Sequence, residues 1–366
     1  MSEALTLYAW EVSYFGGKLR SYLRHKGIPY TEVRPTIFDY YFKLKRRTGV
    51  AAIPVVVLPE GAWLQDTSEI IDFLEHRYPQ RAVIPATPVQ RFSAYLLEMW
   101  GDEFWIPTGL HTRWCHMEEN YAFLEQDMAE NLLPGWPRWL QDKASAKVAQ
   151  HMADFLTSTG VVPEQFELLH RWTVQQLDWL DAHFATSPYL LGDRPSLGDF
   201  GLMGPLYGHL SRDPWPAQHL IKPRPHLKAW IERMNERGRD MGEYQPGDTI
   251  PDTLLPLLSR LLTDMLSYLE GNLEQLRQFM LVHPGADSWP RFIGSTEFSM
   301  LDGRYSRPAM PYVLWMYQRM MAVFRASADD ERDAVRQWLR EQAVERLLDL
   351  DVPKLKRKGL CAVLDR

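Results

Sequence analysis

The sequence predicts an α/β domain at the N-terminus, then an all-helical region, then a further helical extension. Three observations lead there. Strand-like and helix-like segments alternate from Leu5 to Tyr78, around a buried strand at Val55-Val56-Val57-Leu58. Beyond Ala86-Thr87-Pro88, a short linker, the strand signal fades and apolar residues recur at helical spacing. More than a hundred residues follow position 240, and they contain two strongly apolar helical stretches, Leu254 to Leu269 and Tyr312 to Phe324.

The elements follow in order. Leu5-Thr6-Leu7-Tyr8-Ala9-Trp10 alternates as a strand does. Ser13 to Gly17 is a loop leading to a helix from Lys18 to His25, which ends at Gly27. Tyr30 to Val33 is a second strand, and Phe38 to Arg47 is predicted to be helical. Pro54 lacks an N–H and so suits the first residue of the central strand. Pro59-Glu60-Gly61 turns the chain, and Ala62-Trp63-Leu64 returns as a hairpin partner. Asp66, Thr67 and Ser68 are helix-starting residues; Ile70, Ile71 and Leu74 carry that helix to Tyr78-Pro79.

In the helical region, Phe92, Leu96, Met99 and Trp100 make one stripe, and Phe166, Leu169, Trp172, Leu177, Leu180 and Phe184 another. Leu132 to Ser158, first Pro/Trp-rich and then polar, has no clear period. Ser196 reads as an N-cap with Asp199 closing a capping box, which explains the position of Asp199 without catalysis. The helix from Phe200 to Leu210 is apolar nearly all round and belongs in a core. Gly238 to Pro251 reads as a linker, Asp329 to Leu350 as an amphipathic helix, and Lys354-Leu355-Lys356-Arg357-Lys358 as a solvated basic end.

Composition narrows the function. The formal net charge is −6, so neither nucleic acid nor an anionic membrane is an expected partner. Cys115 and Cys361 are too few for a disulfide framework, and a reducing, cytoplasmic setting is expected. No secretory signal is visible, and no apolar run approaches the ~20 residues of a membrane-spanning helix. His111 and Cys115 have the i, i+4 spacing of two metal ligands, but no second pair accompanies them, and no metal is expected.

A strand opened by Ile53-Pro54, a hairpin, and a helix opened by Asp66-Thr67-Ser68 resemble the glutathione-binding half of a glutathione S-transferase. Tyr189 to Phe200, with Ser196 and Asp199, resembles the helix-start motif of that family's C-terminal domain, and Pro225 to Met234 its late helix. The resemblance runs from residue 5 to 237. It implies a thioredoxin-like domain over 1–85, an all-helical transferase domain over 89–240, and an extension over 241–366 packed on the helical domain or on a second subunit. It also implies a cis bond before Pro54. Ile53 would then offer its backbone to the cysteinyl part of glutathione, and Asp66 and Thr67 would hold the γ-glutamyl group. A helix N-terminus favours a carboxylate, and an aspartate can take an ammonium.

The chemistry needs a thiolate. A free thiol of pKa ~8.5 is only a few per cent ionised at pH 7, and a hydroxyl donating to sulfur lowers that pKa. Ser13-Tyr14-Phe15-Gly16-Gly17-Lys18-Leu19-Arg20 resembles the family's Ser/Cys-Pro-Phe-x-x-Arg/Lys-Val-Arg pattern, which places Ser13 at the activating position. Tyr14 stands where proline is usual. Tyr14 or Tyr8 could donate instead, and a chain with no activating residue is the remaining alternative. No cysteine lies in this loop, which argues against mixed-disulfide chemistry.

Arg46, with Lys43, Lys45 and Arg47, could reach the glycyl carboxylate; a solvated basic face is the alternative reading of these residues. Trp100, Phe104, Trp105 and Trp114 are candidates for the apolar wall of a second-substrate pocket. The expected function is conjugation of glutathione, a co-substrate, to a small apolar electrophile. The alternative is a transferase fold kept as a non-catalytic binding or assembly module. A homodimer is expected by the same resemblance.

Overall fold

The computed structural model describes residues 4–237 and 242–366. Part of the linker expected from residue 238, at 238–241, lies outside the described residues, as do residues 1–3. The chain forms two compact units that interleave along the sequence. Of the described residues, one gathers those within 4–83, 108–156 and 200–237; the other gathers 84–107, 157–199 and 242–366.

The first unit opens with β1 (Leu5–Tyr8), α1 (Tyr14–Lys26) and β2 (Tyr30–Val33). A π turn at Asp39–Leu44 runs into the short α2 (Lys45–Thr48), where a continuous helix from Phe38 was expected. β3 (Val55–Val57), β4 (Trp63–Gln65) and α3 (Thr67–Arg77) follow. The sheet order is β2-β1-β3-β4, with β1 parallel to β2 and antiparallel to β3, and β3 antiparallel to β4. This is a thioredoxin-like arrangement, and the Ile53–Pro54 peptide bond in it is cis.

Local chemistry explains the helix ends. α1 stops at Gly27, whose φ of 67° lets its N–H and that of Ile28 return to the carbonyls of Arg24 and Leu23. α3 starts at Asp66, whose carboxylate accepts from the N–H groups of Ser68 and Glu69 at 3.0 and 3.3 Å.

After α3 the chain forms α4 (Pro88–Met99), a π turn at Trp100–Phe104 and α5 (Ile106–Trp114). α6 (Met117–Leu132) and α7 (Arg138–Ser158) are joined by a loop, so the stretch without a clear period is mostly helix. α8 (Phe166–Phe184) and α9 (Leu197–Pro205) follow, and α9 continues as a π turn at Leu206–Leu210. Phe200, Leu202, Met203, Leu206 and Leu210 are buried, as the all-apolar pattern requires. A single turn, α10 (Pro214–Pro216), and α11 (Pro225–Met234) close this part.

In the second unit Asp199 accepts from the Ser196 N–H at 2.8 Å, the Ser196 hydroxyl at 2.9 Å and the Leu190 N–H at 3.0 Å. It is a cap, fully buried and fully engaged. The C-terminal part holds α12 (Leu255–Val282), α13 (Pro311–Ala326) and α14 (Asp329–Glu341). α12 is longer than expected because Leu273 and Leu276 continue its buried face.

α14 is shorter than expected. Ala343 adopts a φ of 58°, and Val344 N–H returns to Leu339 carbonyl, a stop made without glycine. Two hairpins were also unforeseen: β5 (Ser295–Met300) with β6 (Gly303–Pro308), and β7 (Leu355–Lys358) with β8 (Cys361–Leu364). The basic residues read as a solvated end are therefore a paired strand.

α13 and α14 pack on α4, and α12 on α8. Phe92 of α4 meets Phe324 and Trp338 edge-on, and ion pairs join Arg91 to Glu331 and Arg319 to Glu98.

Candidate active site

The sheet register brings three segments of the first unit to one end. Tyr8, the last residue of β1, pairs with Val55, the first of β3, and Val55 pairs with Gln65, the last of β4. The loop to Ser13, the Ile53-Pro54 bend and the Asp66-Thr67 helix start therefore leave the sheet together. Gln65 donates its side-chain amide to the Ala52 carbonyl at 3.1 Å, which braces the bend. Ile53 is half-buried, and its backbone N–H and C=O form no hydrogen bond among the described residues.

Ser13 is the N-cap of α1. Its hydroxyl oxygen accepts from Gly16 N–H at 3.1 Å, and among the described residues the hydroxyl donates to nothing. A serine hydroxyl has one donor and two acceptor sites. The cap uses an acceptor and leaves the hydrogen available at the positive end of a helix.

Asp66 has a φ of 82°, a left-handed conformation uncommon outside glycine. Part of its hydrogen-bonding capacity serves its own helix. Thr67 is buried, and Ser68 accepts from the buried Lys18 ammonium at 3.3 Å, which ties α1 to α3.

The rings of the two candidate tyrosines make packing contacts. Tyr8 is buried in a cluster with Leu44 and Val55; its ring stacks on Trp63 at 5.7 Å, with the Lys43 ammonium 4.7 Å above it. Tyr14 lies against the helix at 200–210. A side chain at position 204 would come within 2.7 Å of its ring, and one at 208 within 3.0 Å of its Cα, so Gly204 and Gly208 make room for it. His209 meets the same ring edge-on at 5.4 Å. Burial and the Arg113 charge hold the His209 imidazole well below its usual range, and the neutral ring donates from Nδ1 to the Gly109 carbonyl at 2.9 Å. Tyr14 thus rests on two glycines four residues apart.

Arg46 is exposed on α2. The expected aromatic wall divides between the units. In the second unit Trp100, Phe104 and Trp105 are 1, 4 and 0 % exposed. Trp105 meets Trp100 and Trp172 at 5.3 Å, and Phe104 meets Tyr268 at 5.3 Å. These rings are core, and a wall needs exposed ring surface that they lack. Trp114, in the first unit, is half-buried in a cluster with Trp10, Phe123 and Leu124.

Sequence reasoning missed Arg113. It is buried and donates to Asp213, to the Val12 carbonyl and to the Gly208 carbonyl. No local pattern marks it, whereas the Gly204/Gly208 spacing could have flagged a close approach on one helix face.

The family comparison follows the same order along the chain. The description "Glutathione S-transferase, N-terminal domain" matches residues 7–82, and "Glutathione S-transferase, C-terminal domain" matches 173–233. The chain belongs to the glutathione S-transferase superfamily.

No curated protein matches the sequence. Among solved structures, the chain is similar to a glutathione S-transferase from Rhodospirillum rubrum, at 18% identity and a TM-score of 0.42, over 68% of this chain and 96% of that one. It is similar to a glutathione S-transferase from Methylobacterium radiotolerans in complex with glutathione sulfonate, at 17% identity and 0.39, over 66% and 99%. It is also similar to a beta-etherase from Sphingobium sp., at 18% identity and 0.42, over 64% and 96%. Beyond the matched residues, α13 and α14 pack on α4 and α12 packs on α8, and the two hairpins pack on α12 and α13.

Proposed function

We propose that the chain binds glutathione at the Ser13, Ile53-Pro54 and Asp66-Thr67 end of the sheet and conjugates it to a small apolar electrophile. Residues 1–85 would be the glutathione-binding module, 89–240 the helical module and 241–366 the extension. The observation that carries the reading is the Ser13 hydroxyl, capped by its oxygen and free to donate its hydrogen. A thiolate there would take that hydrogen and the partial positive charge of the α1 start, both of which favour the ionised form.

The N–H and C=O of Ile53, which bond to nothing among the described residues, suit a peptide backbone. The α3 start and Asp66 suit a carboxylate and an ammonium, and Arg46 would meet the glycyl carboxylate. Tyr8, stacked on Trp63, and Tyr14, packed on Gly204, are the alternative donors.

Calorimetry with reduced glutathione should show binding that Asp66→Ala weakens. Ser13→Ala should lower turnover with an aryl halide by about 10- to 100-fold while sparing most of the binding. Turnover unchanged by Ser13→Ala would remove that residue from the mechanism.

A second reading, a non-catalytic binding or assembly module, is favoured by the burial of Trp100, Phe104 and Trp105, which leaves the electrophile without that wall. Glutathione binding without turnover on any aryl halide or epoxide would select it. A homodimer is part of the proposal, and a monomer mass by light scattering at micromolar concentration would remove it.

A further inference from the structure

Phe38, Tyr41 and Phe42 are 52, 57 and 69 % exposed, and Trp136 and Trp139 are 48 and 58 % exposed. Exposed rings scattered singly are ordinary; a gathered set on one face marks a contact surface. The π turn at 39–44 accounts for half of it. Tyr40 turns inward against Trp10 at 5.4 Å and Leu44 joins the core beside the sheet, which leaves Phe38, Tyr41 and Phe42 outside. Phe38 lies 6.5 Å from Phe42 and 6.5 Å from Trp136, so the turn meets the loop between α6 and α7. Trp139 follows in the first turn of α7, with the Lys143 ammonium 5.2 Å above its ring.

Basic residues follow the rings along the chain. Lys43 and Arg47 turn to the Tyr8 and Trp63 rings, whereas Lys45 and Arg46 are exposed, in a chain whose net charge is −6. Lys45 and Arg46 have no ion-pair partner among the described residues. Rings about half exposed or more stand proud of the surface, whereas a peptide-binding cleft would shield them. Aromatic rings beside lysine and arginine settle at the headgroup level of a bilayer: the rings enter the interface and the cations meet anionic headgroups.

We propose that this face docks reversibly on an anionic lipid surface. The negative net charge of the whole chain does not oppose it, because charge is screened over about 8–10 Å and the lipids sense the nearest face. The inference stands on this surface alone and does not rest on the glutathione reading.

The test is flotation of the full chain with phosphatidylcholine vesicles, with and without about 30 mol % phosphatidylserine, at ~0.1 M salt. The chain should float with the serine-lipid vesicles only, and ~0.5 M salt should release it. Replacing two exposed rings, Phe42→Ser with Trp139→Ser, should lower the bound fraction at least about tenfold. Lys45→Glu, a single exposed charge, should lower it several-fold and covers the case in which the double variant fails to fold. No flotation of the unaltered chain overturns the proposal, as does equal binding to both vesicles that Lys45→Glu leaves unchanged. A concentration-dependent dimer that Phe42→Ser with Trp139→Ser abolishes, with no vesicle binding, would assign the face to a second copy instead.

Discussion

Arg113 donates to both oxygens of the Asp213 carboxylate, Nε to Oδ2 at 2.7 Å and Nη2 to Oδ1 at 2.9 Å. The same guanidinium holds the Val12 carbonyl at 2.8 Å and the Gly208 carbonyl at 2.9 Å. Val12 immediately precedes Ser13, so this buried fork anchors the loop that presents the candidate hydroxyl. A lysine could not reproduce it, because the planar fork makes the bidentate contact.

Arg113→Met should therefore destabilise the fold by about 3–5 kcal/mol, since it leaves Asp213 buried and unpaired. Arg113→Met with Asp213→Leu should cost less than the sum of the two single changes. Urea unfolding midpoints of the three variants check this. Additive costs would show that the two side chains do not act as a pair.

Asp66 separates a backbone effect from a ligand effect. Asp66→Ala loses the cap and keeps a Cβ at a φ of 82°, and it should cost about 1–2 kcal/mol. Asp66→Gly suits that φ and should lie within about 0.5 kcal/mol of the parent. Both variants should lose glutathione affinity equally. Affinity that follows stability instead would make Asp66 a structural cap alone.

His183 sets a pH dependence. Burial pushes its imidazole down to about 4, and it is neutral at pH 7, donating from Nε2 to the Tyr189 carbonyl and accepting the Thr253 hydroxyl at Nδ1. The unfolded chain takes up this proton near the ordinary value of about 6.5 and the folded chain only near 4. The stabilisation is complete above about pH 6.5 and is lost as pH falls to about 4. The loss should approach about 3 kcal/mol over that window. His183→Gln should flatten it in unfolding curves taken at several pH values.

Asp248 caps α4 from far along the chain. Its carboxylate accepts from the N–H groups of Val89 and Gln90 at 3.0 Å each. Thr87, the local cap position, makes no side-chain cap bond. Asp248→Ala should cost about 1–2 kcal/mol, and Thr87→Ala less than about 0.5 kcal/mol. The reverse ranking in thermal melts would contradict the assignment.

What could be read from the chain alone was short-range. Ser13 with Gly16, Asp66 with Ser68, and Ser196 with Asp199 are caps closed within three residues, so composition at fixed spacing reveals them. The β3–β4 hairpin follows from an apolar run and one turn, and the resemblance carried by Ile53-Pro54 and Asp66-Thr67-Ser68 is what marks the segments of the candidate cradle.

The rest depended on partners far apart in sequence. A helical stripe says that Trp100 is buried on some face, but Trp105, Trp172 and the packing of α12 on α8 decide that this face is core and not pocket. Ala343 ends α14 in a conformation that no residue type announces. Likewise Phe38 to Arg47 reads as one helix, and only the wide turn and Trp136 leave Phe38 and Phe42 gathered on the outside. Local hydrogen bonds are chosen by neighbours a few residues away. Burial is chosen by whichever distant surface excludes water, and that choice exists only once the chain has folded.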